Sequence, residues 1–377
     1  MSKVYLPTSD QMNVTLENLE RIAGALGAKA EVESWAGIQR AVKSGNASRL
    51  FPIGTQFTVP HSVYGDMVYD VVAHDYFKSV YDENAHTMTL MAHDQILATQ
   101  FDSLEAFYYA ENELPAGTYN FTIESTYSSW VSGTYQFTLT KTLPKGGQLS
   151  MSGNADVAIT ARFVRAYSSG TTTTATEECA ITAGNSGVSL GTFGVELNHT
   201  QRVSHGSNNY KESAIRQFLN STSAAGGVWT PQTKFDRPPS WMGSLEGFAH
   251  GLDDEFLSCI GKVIVPCAAN KTYESSNSTT VKNEAYTVTD KFYLASQREI
   301  FGTGSDTVDD GSVLFPYYKD ATNADRIKYR DGSAAGWWTR SAYPWHSTSV
   351  QVVTSDGTLY NHGALHTTGC VPVCTIV

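Results

Sequence analysis

"GWWTRSAYPWHSTSVQVVTSDGTLYNHG", residues 336–363, holds two apolar strand-length runs followed by a turn. "GWWTRSA" is short and bulky. "SVQVVTSDGTLY" alternates around Asp356-Gly357, a pair that accepts the backbone a hairpin turn requires. An antiparallel sheet near the end of the chain is therefore predicted, and the closing "GCVPVCTIV" reads as a further strand. The overlapping stretch "TLYNHGALHTTG", residues 358–369, behaves differently. Tyr360, His362, Leu365 and His366 are recognition-type side chains scattered among Asn361, Gly363, Ala364 and Thr367 with neither a helical nor a strand period.

Upstream, "DKFYLASQREIFG" predicts a strand running into a helix. Ser296 and Glu299 form a capping box, in which the hydroxyl takes the amide three residues on and the carboxylate reaches back. Helices are also predicted around "NNYKESAIRQFLNS" and "GLDDEFLSCIG", the latter leading into the strand "KVIVPCA". Helices first and sheet afterwards describe an α+β domain over residues 190–377. "YSSGTTTTATEE", residues 167–178, is too polar to bury and reads as a linker within 169–189. Residues 49–168 read as a β-rich domain, in which "GTYNFTI" and "GTYQFTL" are near-copies expected to pair as neighbouring antiparallel strands. Residues 1–48 read as helical: Met12, Leu16, Leu19, Ala23 and Leu26 share one stripe, and Trp35, Ile38 and Val42 share another that ends at Gly45.

The 377 residues suffice for two or three domains with their own cores. A formal net charge of -11 and the lack of Lys/Arg runs argue against a nucleic-acid partner. No apolar stretch reaches the ~20 residues of a membrane span, and the first residues lack the apolar core of a secretion leader, so a soluble cytoplasmic product is expected. The odd count of five cysteines does not suggest a disulfide framework. Cys370 and Cys374 would stand ~13 Å apart on one extended strand, beyond bridging, and read as buried thiols. The seven Asn-x-Ser/Thr sequons read as chance in so Thr/Ser/Asn-rich a chain.

Catalytic constellations are not evident. The doubled "AHD", His74-Asp75 and His93-Asp94, offers imidazoles and carboxylates, yet adjacent strand residues face opposite ways and a third ligand would have to come from His61 or His86. Histidines held by local hydrogen bonds are the expectation. "SDTVDDGS", with Asp306, Asp309 and Asp310, lacks the register of a calcium loop and reads as solvated. No cofactor motif is found and no acid/base pair stands out, so a non-enzymatic role is expected.

The segments "DKFYLASQREIFG", "LFPYYKDATNADRIKY", "GWWTRSAYPWHSTSVQVVTSDGTLYNHG" and "GCVPVCTIV", in that order, resemble the C-type-lectin-fold domain of variable proteins encoded by diversity-generating retroelements, of the formylglycine-generating-enzyme-like, phage or prophage type. The resemblance implies that a reverse transcriptase randomises template adenines, so that Asn codons yield many residue types. A template such as "TLNNNNANNTNG" would give the observed run, with Ala364 and Thr367 held constant. The ligand-binding face so implied comprises Trp345, His346, Ser347, Ser349, Gln351, Val353, Tyr360, His362, Gly363, Leu365, His366 and Thr368. Trp345 and Gln351 depart from the pattern, because changing the first two bases of an Asn codon yields neither Trp nor Gln. Trp337, Val350, Val352, Val371 and Val373 are the expected fixed support, with Trp338 and Arg340 at its edge.

The Glu-Pro-Asn and Gln-Pro-Asp motifs of calcium-dependent sugar-binding lectins are absent, so that activity is not implied. The resemblance further implies a virion location, a bacterial surface protein or glycan as receptor, other tail proteins as neighbours, and display in several copies to raise avidity. The rival expectations are a structural tail or decoration protein and a glycan depolymerase.

Overall fold

The computed structural model describes residues 34–103, 108–110, 112–125, 133–143, 145, 148–152, 163–167, 175–180, 182–195, 206–230, 232, 239–270, 283–303, 309–344 and 348–377. The helix expected over Met12–Leu26 lies outside them. Helix α1 (Trp35–Lys43) opens at Ser34, whose hydroxyl accepts the Gly37 amide at 3.1 Å. It buries Ile38 and Val42 as their spacing predicts, and the chain turns at Gly45 with φ +73°.

Strands β1 (Gln56–His61), β2 (Gly65–His74), β3 (Met88–Ala92), β4 (Leu97–Thr99), β5 (Phe292–Tyr293), β6 (Trp337–Ala342), β7 (Ser349–Val353), β8 (Leu359–Gly363), β9 (Thr368–Cys370) and β10 (Val373–Ile376) build two five-stranded sheets. Their orders are β1-β2-β3-β10-β5 and β8-β7-β6-β9-β4. Each sheet therefore joins strands from before residue 100 to strands from beyond residue 290. Cys374, for example, pairs across from Leu90. One core runs from Ile38 on α1 through Tyr69, Leu90, Phe218, Val265 and Trp337 to Ile376. The protein is thus a strand-rich mixture of α and β.

That pairing corrects the expected division into a 49–168 β-domain and a 190–377 α+β domain. Local periodicity reveals a strand but not its partner, and β1–β4 find theirs at the far end of the chain. The chain leaves this core after Asp102 and rejoins it at Ser207. The Asp102 carboxylate clamps the two ends, accepting the Ser207 amide at 3.1 Å and the Ala214 amide at 3.3 Å. Within the intervening segment the near-copies pair as expected, antiparallel, with Tyr119 opposite Phe137 and Phe121 opposite Tyr135. The expected linker is instead partly strand. Ala175–Ala180 pairs with Phe163–Tyr167, and Val188–Val195 lies parallel to Gly117–Ser125. Threonine-rich chain lacks apolar residues to bury but retains strand propensity, so polarity alone misreads it.

Helices α2 (Ala214–Asn220), α3 (Asp254–Cys259) and α4 (Gln297–Phe301) occur where the sequence places them, capped by Ser213, Asp253 and Ser296. The Ser296/Glu299 capping box forms in full. "GCVPVCTIV" does not run as one strand. It breaks at Val371-Pro372, so Cys370 ends β9 in one sheet while Cys374 belongs to β10 in the other. Both thiols are buried and unpaired, and burial pushes both above their ordinary range. No helix among the described residues is long and apolar enough to cross a membrane.

Candidate functional site

Strand β8 is the edge of its sheet and pairs only with β7, to which a tight connection joins it. Gly357 donates to the Thr354 carbonyl at 3.0 Å, and Thr354 donates to the Thr358 carbonyl at 2.9 Å. This is a turn closed by a left-handed glycine, Gly357 having φ +78°. A β-carbon on Gly357 would stand 1.8 Å from the Asn323 carbonyl oxygen, so both the backbone conformation and the space require glycine. The Asp356 carboxylate accepts from the Thr354 and Thr358 hydroxyls, and these bonds hold it below the usual carboxylate range.

The register assigns the side chains to faces. Trp338 pairs with Val352, and Val352 with Tyr360; Val350 pairs with His362. Directly opposed residues share a face, so Tyr360 and His362 extend the face on which Trp338, Val350 and Val352 are buried. At the sheet edge that face opens to solvent. Tyr360 is 57% exposed, and its ring meets His362 edge-on at 5.7 Å. His362 in turn lies 5.1 Å from the exposed His366 ring and 6.4 Å from Trp338. Its Nδ1 lies 3.2 Å from the Thr368 hydroxyl. Burial, with the neighbouring His366, lowers the His362 imidazole below its ordinary value and keeps it neutral at pH 7.

The loop after β8 is anchored from beneath. Ala364 is fully buried, its amide donating to Thr348 at 2.7 Å and its carbonyl accepting from Phe101 at 3.0 Å. Gln100 donates to the Leu365 carbonyl at 3.0 Å. Tyr360, His362 and His366 thus form one chain of rings on a fixed loop, flanked by the half-buried Gly363 and Leu365.

Other expected face residues are placed differently. Ser349, Gln351 and Val353 alternate with Val350 and Val352, so they point to the opposite side of the sheet from Tyr360 and His362. Ser349 is half-buried, Gln351 is 2% exposed and Val353 is sealed. Thr368 is also buried, sitting under His362. Gln351, Val353 and Thr368 are therefore corrected from displayed to structural positions. Trp345, His346 and Ser347 lie outside the described residues.

Trp337, Val350, Val352, Val371 and Val373 are fully buried, as expected of a fixed support. Trp338 and Arg340, expected at the edge, are equally buried. The Trp338 indole donates to the Thr99 carbonyl at 2.8 Å. Arg340 makes two 2.6 Å bonds to Glu299 and donates to the Ser312 hydroxyl and to the Leu294 and Pro266 carbonyls. Burial alone would depress this guanidinium, yet the adjoining Glu299 carboxylate raises it well above its ordinary value. The missed signal was an arginine inside an apolar strand together with a capping carboxylate available to meet it.

The doubled "AHD" resolves into separate hydrogen bonds. His74 Nε2 meets the Phe51 carbonyl at 2.9 Å, Asp75 holds His86 at 3.1 Å, His93 Nδ1 contacts the buried Asp70 at 2.8 Å, and Asp94 accepts the Tyr329 amide at 3.0 Å. His61, the other possible ligand, bonds the Phe248 carbonyl at 2.9 Å. No group of three or more metal-ligating side chains occurs among the described residues. In the acidic loop, Arg298 meets Asp309, and Asp310 is buried with its carboxylate on the Ser312 amide, so that residue is not solvated as expected.

A model of domains of unknown function, DUF6273, matches residues 183–377. The chain belongs to the DUF6273 family. The matched region contains the whole hairpin site, the Arg340–Glu299 pair and β10, while β1–β4, which complete both sheets, precede it. No curated protein and no solved structure matches the chain.

Proposed function

We propose that this DUF6273 protein is a ligand-binding protein of a phage or prophage, with a retroelement-diversified face displayed on a C-type-lectin-like domain. The face is the β7–β8 hairpin edge and its following loop, and the role is recognition of a bacterial surface protein or glycan. The observation that carries this reading is the contiguous ring chain Tyr360–His362–His366 at the open edge of a sheet whose adjoining strand buries Val350 and Val352. Aromatic rings with polar handles give contact area at low entropic cost, which suits recognition.

The alternation of buried and open positions supports the same reading. Ala364, one of two constant residues within the randomised run of the inferred template, is fully buried, whereas Tyr360 and His366 on either side are open, as is the other constant residue, Thr367. Gln351, which an Asn codon cannot reach, is buried too and belongs to the constant set.

The test has two parts. The DNA beside the gene should carry a near-copy of the segment encoding this hairpin, differing at adenines, next to a reverse-transcriptase gene. In addition, the full chain should adhere to cells of a host strain, and Y360A/H362A/H366A should abolish adherence without unfolding the protein. No near-copy, together with adherence unchanged in the triple variant, would overturn the proposal and favour a structural tail protein.

A further inference from the structure

A cleft of about 690 Å3 lies away from the hairpin residues, between α1, the loop of residues 79–86 and the turn of residues 258–262. Gln39 and Lys43 of α1, Tyr81 of the loop, Lys262 of the turn, and Lys291 line it. Three lysines sharing one cleft are unusual on a chain of net charge -11.

The ionic contacts nearest the cleft lie within its loop, and Asp82 remains as an acid of the lining. Lys78 pairs with Glu83 at 3.7 Å and His86 with Asp75 at 3.1 Å, while Asp82, an acid of the lining, caps its own loop by accepting the Asn84 amide at 2.9 Å. Lys43, Lys262 and Lys291 have no ion-pair partner among the described residues. Lys291 is half-buried and spends one N–H on the Leu257 carbonyl at 3.1 Å. Burial, and then the like charge of Lys262, pull its amine below the ordinary lysine value. Two cations that repel one another beside a cleft leave donors and charge for an anion.

The lip adds a second chemistry. Tyr81 is 80% exposed, the largest exposure among the large apolar side chains of the described residues, and its amide donates to the Ser79 hydroxyl at 3.2 Å. An open ring offers a face to the C–H side of a sugar. The volume exceeds that of a lone inorganic anion and falls in the range of small-molecule sites.

We infer that this cleft binds an acidic saccharide, its anionic group held by Lys262 and Lys291 with Lys43 behind, and its ring resting on Tyr81. Gln39, whose side-chain amide already donates to the Val377 carbonyl at 2.8 Å, holds the cleft wall in place.

The test is calorimetric titration of the full chain with glucuronic acid, N-acetylneuraminic acid, glucose 6-phosphate, glucose and inorganic phosphate. At least one of the acidic sugars should bind in the millimolar range, about tenfold tighter than glucose or phosphate, and bind more weakly as salt rises. Lys262 and Tyr81 are exposed, so K262Q and Y81A should keep the wild-type melting temperature. K262Q should weaken the acidic sugar about tenfold, and Y81A should weaken it several-fold while leaving phosphate unchanged. No heat from any acidic sugar at about 20 mM would overturn the inference, as would binding indifferent to K262Q. Phosphate binding as tightly as the sugars, with Y81A silent, would reduce the cleft to a general anion site and overturn the saccharide assignment.

Discussion

Strands β6 and β8 flank β7 in the same sheet, yet their side chains live in different solvents. Every residue of β6 is buried, including Arg340, whereas every residue of β8 is at least partly open. Both contribute an aromatic to the same face, Trp338 from one and Tyr360 from the other. The difference comes from position: β6 is covered on both sides by β7 and β9, while no further strand among the described residues pairs beyond β8. A single sheet thus provides a frame that cannot vary and, two strands away, a rim that can.

Substitution should reveal how steep that gradient is. Arg340→Met leaves the Glu299 carboxylate buried without its counter-charge and should cost about 3–5 kcal/mol, read as a large fall in the urea midpoint. The double variant R340M/E299L should recover much of that loss, because the uncompensated charge is gone. Trp338→Ala, on the same face as Tyr360, should cost a similar ~3–5 kcal/mol, whereas Tyr360→Ala should stay within about 0.5 kcal/mol. Equal costs for the two aromatics would erase the distinction between frame and rim.

Intermediate between them is the turn. Gly357→Ala combines a left-handed backbone with a clash against Asn323 and should cost about 1–3 kcal/mol, with the hairpin amides exchanging faster than those of β6 by hydrogen exchange.

The smallest effect expected is one of pH. His362 and His61 both titrate below the ordinary histidine value of 6.5, in each case chiefly through burial. The unfolded chain therefore takes up these protons first. The contribution to stability is complete above about pH 6.5 and is lost as pH falls through the depressed folded values. The urea midpoint should decline as pH falls below about 6.5, and His362→Asn should flatten part of that slope.

Legibility followed the range of the interaction. The capping box at Ser296 and Glu299, the pairing of the two "GTY" copies, the glycine turn at Asp356-Gly357 and the burial of Trp337 all rest on neighbours within a few residues or on side-chain type, and all were read correctly. The residues expected on the ligand-binding face come together only in part. Tyr360, His362 and His366 do meet, but Val353 and Thr368 are grouped with them by an argument from codons, and Gln351 by its place in the run, and neither says which face a strand residue takes. The Lys43, Lys262 and Lys291 cleft was invisible, since its residues come from three distant parts of the chain.

By itself, the sequence determined the helices with their caps, the Asp356-Gly357 turn and most of the strands, and which aromatic and branched residues must leave water, because those preferences are set by local sterics and hydration. Tertiary structure alone decided that β3 and β4 pair with strands close to the far end of the chain, that Arg340 meets Glu299 in the core, and that β8 is left at an edge. Strand pairing is specified by the joint burial of both partners, and no local stretch contains that information.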